Sequence, residues 1–156
     1  MIAPSQQHLY DYYIDDHGRW FCEGNPVTDP QLFRLLSRSL FEEDGKYFLR
    51  CEGEVHPVRC ADAPLWIRYV NITRDDKGRL AQVEIELEDG RRELLDAGTL
   101  TVANENALYC LATRRRLKAR FGKIAYYELT QHLETDGDRF YFVIGDRRWH
   151  IRPQGD

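Results

Sequence analysis

The sequence predicts an α+β protein made of two related units, each a helix followed by antiparallel hairpins, joined by additional antiparallel strands. Three observations carry the prediction. One segment has a complete helix signature, most of the remaining chain alternates with the period of half-buried strands, and the second half repeats the order of the first. The expected organisation is a leader over 1–14, a first helix-hairpin unit over 15–72, and linking strands with a repeated unit over 73–156.

The leader "MIAPSQQHLYDYYIDD" lacks both a basic start and an apolar core, which predicts a cytoplasmic protein without a secretory signal. "HGRWFCEGNPV" then reads as a tight hairpin, with Gly24-Asn25-Pro26 as its turn chemistry. "TDPQLFRLLSRSLFEEDG" carries the helix. Thr28 or Asp29 can accept from its orphan amides, Pro30 suits the first turn, and Leu32, Leu36 and Leu40 form a stripe joined by Phe33 and Leu35. Gly45 ends the pattern, so the helix is expected from Pro30 to Phe41.

"KYFLRCEGEVHPVRC" follows as a hairpin turning at Glu52-Gly53-Glu54, which sets Cys51 opposite Val55 and leaves Cys60 too far along for a disulfide. With no C-x-x-C pair either, Cys22, Cys51, Cys60 and Cys110 are expected as reduced, mostly buried thiols. "PLWIRYVNI" and "RLAQVEIELEDGRRELL" continue as strands. Glu84, Glu86 and Glu88 alternate with Val83, Ile85 and Leu87, the pattern of a solvated face, and Asp89-Gly90 is a hairpin-turn pair.

Setting residue i against i+92 aligns "FEEDGKYFLRCEG" at 41–53 with "LETDGDRFYFVIG" at 133–145. Glu42, Asp44, Gly45, Phe48 and Gly53 meet Glu134, Asp136, Gly137, Phe140 and Gly145. The helix has its counterpart in "GKIAYYELTQHL", where Ala125, Leu129 and Leu133 share a face. Before it, "TRRRLKARFG" puts five basic residues into ten positions. Leu117, Ala119 and Phe121 alternate with Arg116, Lys118 and Arg120, and a helix here would carry Gly122 inside it at a cost of about 1 kcal/mol, so the extended form is preferred.

The motifs Gly-x-Trp-Phe at 18–21, Asp-Ala-Pro at 62–64, and Leu-x-Ala-Arg followed by Tyr-Tyr-x-Leu within 117–129 resemble the bacterial family catalogued as domain of unknown function 1285, over about Asp15 to Arg152. Lys123 stands where the family pattern has an arginine, and Leu65 where it has an aromatic. The resemblance implies an α+β protein of repeated motifs, with a small-molecule cleft where its parts meet and a part in signalling. It supplies no catalytic residues.

Composition bounds the function. With 156 residues, 42% of them hydrophobic, the chain is long and apolar enough to fold unaided. No apolar run is long enough to span a membrane. A net charge of −4 is the wrong footprint for a polyanion binder, so no nucleic-acid partner is expected. The Arg114, Arg115, Arg116, Lys118, Arg120 cluster is read first as a solvated face, next as the rim of an anion site, and last as a nucleic-acid contact. The five histidines show no zinc-helix spacing, and no Walker, dinucleotide or G-x-S-x-G motif occurs.

These features predict a non-catalytic regulatory or sensory protein that binds a small anionic ligand in a cleft between the two halves. Arg116 and Arg120 would neutralise the ligand, Trp20 and Tyr127 would wall the site, and Asp62 would orient a donor. No catalytic residue, metal site or cofactor is expected. The alternatives are a hydrolase using a cleft thiol or carboxylate, and a protein-protein interaction module.

Overall fold

The computed structural model describes residues 9–155. Residues 1–8 of the expected leader, His8 included, lie outside this range. The chain forms an α+β structure in two compact units that divide at Pro64/Leu65 rather than after residue 72. Among the described residues no helix is long and apolar enough to cross a membrane.

The first unit contains β1 (Tyr12–Ile14), β2 (Trp20–Cys22), β3 (Asn25–Pro26), α1 (Pro30–Arg38), β4 (Leu40–Glu43), β5 (Lys46–Cys51) and β6 (Glu54–Cys60). β1 thus recruits residues expected in the leader. Its sheet has the order β3-β2-β1-β6-β5-β4. All pairings are antiparallel except β1 with β6, where Tyr12, Tyr13 and Ile14 lie beside Val58, Arg59 and Cys60. The core gathers Ile14, Leu36 and Leu49, fully buried, with Tyr12, Trp20 and Val58.

The side chain of Asp29 caps α1 by accepting from the Gln31 N–H at 3.2 Å, and Pro30 occupies the first turn as expected. The helix stops at Arg38, short of Phe41, because Leu40 and Phe41 pair with Leu49 and Phe48 of β5. The ladder takes over backbone groups that a longer helix would have used. The leucine stripe is accordingly broken: Leu36 is buried, but Leu32 and Leu35 are 42% and 56% exposed.

Two-residue turns at Asp44-Gly45 (φ 54° and 79°) and Glu52-Gly53 (φ 52° and 79°) close the hairpins, both in the left-handed region that tight hairpins use. Cys51 therefore pairs with Glu54, one residue before the expected Val55, while Cys60 faces Ile14 of β1. None of the four cysteines is in a disulfide.

The second unit contains β7 (Leu65–Arg74), β8 (Leu80–Leu87), β9 (Arg92–Leu94), β10 (Thr101–Val102), β11 (Leu108–Ala112), β12 (Leu117–Phe121), α2 (Lys123–Thr130), β13 (Glu134–Asp136), β14 (Arg139–Ile144), β15 (Arg147–His150) and β16 (Arg152–Pro153). A seven-stranded sheet runs β16-β10-β11-β12-β7-β8-β9, and β13-β14-β15 form a separate three-stranded sheet. The strands were expected to be antiparallel throughout. Instead β12 lies parallel to β7 and β10 parallel to β16, so the large sheet is mixed.

A bulge at Arg68 sets Ile67 against Leu87 and Tyr69 against Glu86. It flips the alternation of β7, so that Leu65, Ile67 and, past the bulge, Val70 are all buried. Glu86 is paired with Arg92 at 2.7 Å and Glu84 with Asn71 at 3.4 Å, so these two of the three glutamates are partnered at the surface.

α2 turns Ala125 and Leu129 into the core, where Phe142 of β14 is also fully buried. Glu128 accepts from the Val70 N–H at 3.2 Å, satisfying a β7 amide past the end of its pairing with β12. Gly122 leads into α2. Its N–H donates to the Ile67 carbonyl at 2.9 Å, and a Cβ at this position would sit 2.9 Å from that same oxygen.

Two loops are built alike. In Asp15–Arg19 and Asp75–Arg79, one oxygen of the first aspartate accepts from the N–H two residues on (2.9 Å in both) and from the arginine N–H (2.8 Å in both). The other oxygen accepts from the arginine Nε at 2.8 and 2.9 Å. Burial opposes the charge of Asp15, but these donors outweigh it and hold its carboxyl below the usual range; the Arg79 N–H leads the same effect at Asp75.

Candidate functional site

The basic stretch splits into two structures. Leu117, Ala119 and Phe121 of β12 are buried while Lys118 and Arg120 face outward, so the extended reading holds there. Thr113 to Arg116 form the preceding turn instead. Thr113, Arg114 and Arg115 are all left-handed (φ 53°, 62° and 65°), an uncommon state for side chains of this kind. Acidic neighbours hold the turn: the Glu93 carboxylate accepts from the Thr113 N–H at 3.1 Å, and Asp96 takes Arg115 Nε at 2.6 Å.

Strand register assembles the rest of the site. Thr101 lies beside Arg152 and Tyr109, Tyr109 opposite Arg120, and Arg120 beside Trp66. Directly paired residues share a face, so one row crosses five strands as Arg152, Thr101, Tyr109, Arg120 and Trp66. Tyr109 is buried beneath two cations, with Lys118 Nζ 4.2 Å and Arg120 Cζ 5.8 Å from its ring centroid. Arg120 also stands 5.1 Å over the Trp66 ring.

At the β16 end of this row lies a groove of about 300 Å³. Arg115, Lys118 and Arg152 line it with Thr99, Thr101 and Tyr109. Arg152 donates from Nη2 to the Gly98 carbonyl at 2.9 Å, which leaves most of its guanidinium fork without a protein partner among the described residues. The Thr99 hydroxyl donates to the Asp96 carbonyl and accepts from the Leu111 N–H, so its role is to shape the floor. Three cations from three chain segments, on an aromatic and hydroxyl-lined floor, can neutralise and orient a carboxylate or phosphate.

Neither Cys110 nor Cys22 is poised as a thiolate. Burial, helped by the charges of Glu93 and Asp96, pushes the Cys110 thiol far up and keeps it protonated beside the groove. Burial also raises Cys22, despite its hydrogen bond with Tyr12. Among the described residues no group of three or more His, Cys, Asp or Glu is placed to hold a metal ion.

The residues expected to form the site are distributed over both units. In the first, Trp20 is 3% exposed and spends its surface in edge contacts with Tyr12 and Phe33, so it is a core residue and not a wall. Asp62 lies in the bend after β6. In the second, Arg116 is exposed at the end of the β11–β12 turn, its N–H bonded to the Ala112 carbonyl. Arg120 is in the row, and Tyr127 is 57% exposed on α2 against Tyr126. Arg115 and Lys118 were in the basic cluster but not singled out. Tyr109, Thr101 and Arg152 carried no sequence signal, since only the pairing of β10 with β11 and β16 brings them in.

No protein-family model matches the chain, and no curated protein matches it. Two solved structures do. A DUF1285 family protein from Silicibacter pomeroyi DSS-3 superposes with a TM-score of 0.76 at 21% identity, over 92% of this chain and 80% of that one. A DUF1285 family protein from Shewanella baltica OS155 gives a TM-score of 0.62 at 21% identity, over 77% of this chain and 90% of that one. The chain has the fold of the DUF1285 proteins that its motifs resemble.

Proposed function

We propose that this chain, which carries the DUF1285 fold, is a non-catalytic regulatory protein that binds a small anionic metabolite. The observation behind the reading is the convergence of Arg115, Lys118 and Arg152 on one groove of the second unit. Ligand charge is met there by Lys118 and the Arg152 fork, with Arg115 held in position by Asp96. The proposal requires only residues of this unit, and it moves the anion contacts from Arg116 and Arg120 to their neighbours.

Calorimetric titration with pyrophosphate, citrate and adenosine monophosphate tests it. At least one should bind, and Lys118→Gln with Arg152→Gln should weaken binding by about 100-fold or more, since each hydrogen bond to a charged group contributes roughly 1.5–3 kcal/mol. Affinity unchanged in the double variant would sink the proposal, and so would binding by none of the three.

The internal repeat belongs to this reading. We read α1 to β6 and α2 to β15 as copies, supported by their shared order of one helix and three meandering strands. The copies differ at their turns: Asp44-Gly45 is matched by Gly137-Asp138, with glycine moved to the first turn position and strand pairing moved one residue along. A protein-interaction reading draws on Leu32 and Leu35 of α1 and Ile124 and Tyr127 of α2, apolar pairs at the i+92 offset that are exposed on both helices. A size that stays monomeric at all concentrations, with no partner recovered, would count against it.

A further inference from the structure

The second unit has a second pocket, on the opposite face of the strands that line the groove. Side chains alternate across a sheet, and three segments use this alternation in the same way. Thr101, Tyr109 and Arg152 line the groove, while their chain neighbours Val102, Leu108 and Ile151 line a pocket of about 280 Å³. Val102 and Leu108 are a direct cross-strand pair, and the Ile151 N–H donates to the Phe140 carbonyl at 2.9 Å, tying this edge to β14.

The far wall is Tyr126 and Thr130 of α2, with Leu133 and Phe140. No acidic or basic side chain lines this space. Its polar groups are few. The Thr130 hydroxyl is spent on the Tyr126 carbonyl at 2.7 Å. The Asn106 side-chain amide and the Tyr126 hydroxyl take part in no hydrogen bond among the described residues. Phe140 stands at the pocket with 45% of its surface exposed.

We infer that this pocket is a second ligand site, for a neutral, substituted aromatic ring or a branched aliphatic group of similar size that ends in one hydrogen-bonding function. Size, walls and polarity each narrow the class. A dry cavity of about 150 Å³ accommodates benzene, so the larger space here holds a ring with a substituent. Apolar walls with a small number of polar groups are the usual make-up of a small-molecule site. A carboxylate would be desolvated here with no cation to meet it, so the ligand is uncharged. The Tyr126 hydroxyl and the Asn106 amide supply the donor and acceptor that select its polar end. The inference stands independently of the anion groove, which uses other side chains of the same strands.

The test is an amide-resolved NMR titration of the full chain with p-cresol, toluene and benzoate. p-Cresol should shift the amides of Val102, Leu108 and Thr130 saturably, with a dissociation constant on the order of 1 mM, typical of so small a ligand. Benzoate should not shift them. Phe140→Ala, at an exposed position, should weaken p-cresol by about 5-fold or more through lost apolar contact. Tyr126→Phe should weaken p-cresol and leave toluene unchanged. Lys118→Gln should alter neither. Shifts that never saturate, that benzoate reproduces, or that persist undiminished in Phe140→Ala overturn the inference. Pyrophosphate titrated against the same variants keeps the two sites distinguishable, since its binding should respond to Lys118→Gln and not to Phe140→Ala.

Discussion

Replacing Gly122 with alanine tests a close backbone approach in the second unit, and the sign of the result is diagnostic. The backbone of Gly122 (φ −67°, ψ 172°) is extended and open to any residue, so conformation alone would favour alanine. In a site without steric conflict, Gly→Ala stabilises by about 0.4–1 kcal/mol through the unfolded chain. Here the added Cβ would lie 2.9 Å from the Ile67 carbonyl oxygen, which the Gly122 N–H also needs as its acceptor at 2.9 Å. That oxygen belongs to β7, paired on both sides with β12 and β8, and has little room to move.

Relieving the overlap means lifting the start of α2 away from β7. Overpacking of this kind costs about 1–3 kcal/mol, and stretching the shared hydrogen bond adds up to about 1 kcal/mol. Set against the entropic gain, the net loss is about 2 kcal/mol. For a chain of this size that lowers the thermal midpoint by about 4–8 °C, readable by circular dichroism. A midpoint that rises by a degree or two would refute the reasoning, because it would mean that α2 does not meet β7 at this oxygen.

Two further predictions concern buried and paired carboxylates. Asp15 and Asp75 have folded pKa values below the unfolded value, so their contribution is fully present above about pH 4 and is lost as pH falls through the folded pKa. The double variant Asp15→Asn, Asp75→Asn should therefore be less stable than the parent at pH 7, by a margin that narrows as pH falls below about 4, measured by urea unfolding; a difference that stays constant as pH falls would contradict the assignment. Asp89 has a fully buried side chain and meets Arg91 Nη2 at 2.7 Å, so Asp89→Ala should destabilise by about 1–3 kcal/mol by removing a buried acceptor from a guanidinium that is 30% exposed. A loss under about 1 kcal/mol would show that solvent reaches the pair.

Local chemistry made much of the fold legible. Asp29 and Pro30 start α1 where their capping chemistry dictates, and Leu117, Ala119 and Phe121 turn inward because a two-residue period leaves them no other face. The two aspartate loops carry a signature too, the repeated string Asp-Asp-x-Gly-Arg at 15–19 and 75–79, which went unread until the structure showed both loops. Each builds its turn from donors within five residues, so no distant partner is needed. The end of α1 was not legible in the same way: Leu40 continues a helical stripe in sequence, and only its pairing with Leu49 makes it a strand residue.

The candidate site divides along the same line. The sequence by itself determined that cations cluster between 114 and 120, that a strand would display some of them, and that the net charge is −4. Tertiary structure decided which cations share a groove. Arg152 reaches Lys118 and Arg115 only because β16 pairs in parallel with β10, and Trp20 leaves the site because its sheet buries it against Tyr12 and Phe33. Spacing along the chain sets which face a residue occupies; which faces meet is set by strand order, and that is a property of long-range pairing that no local window contains.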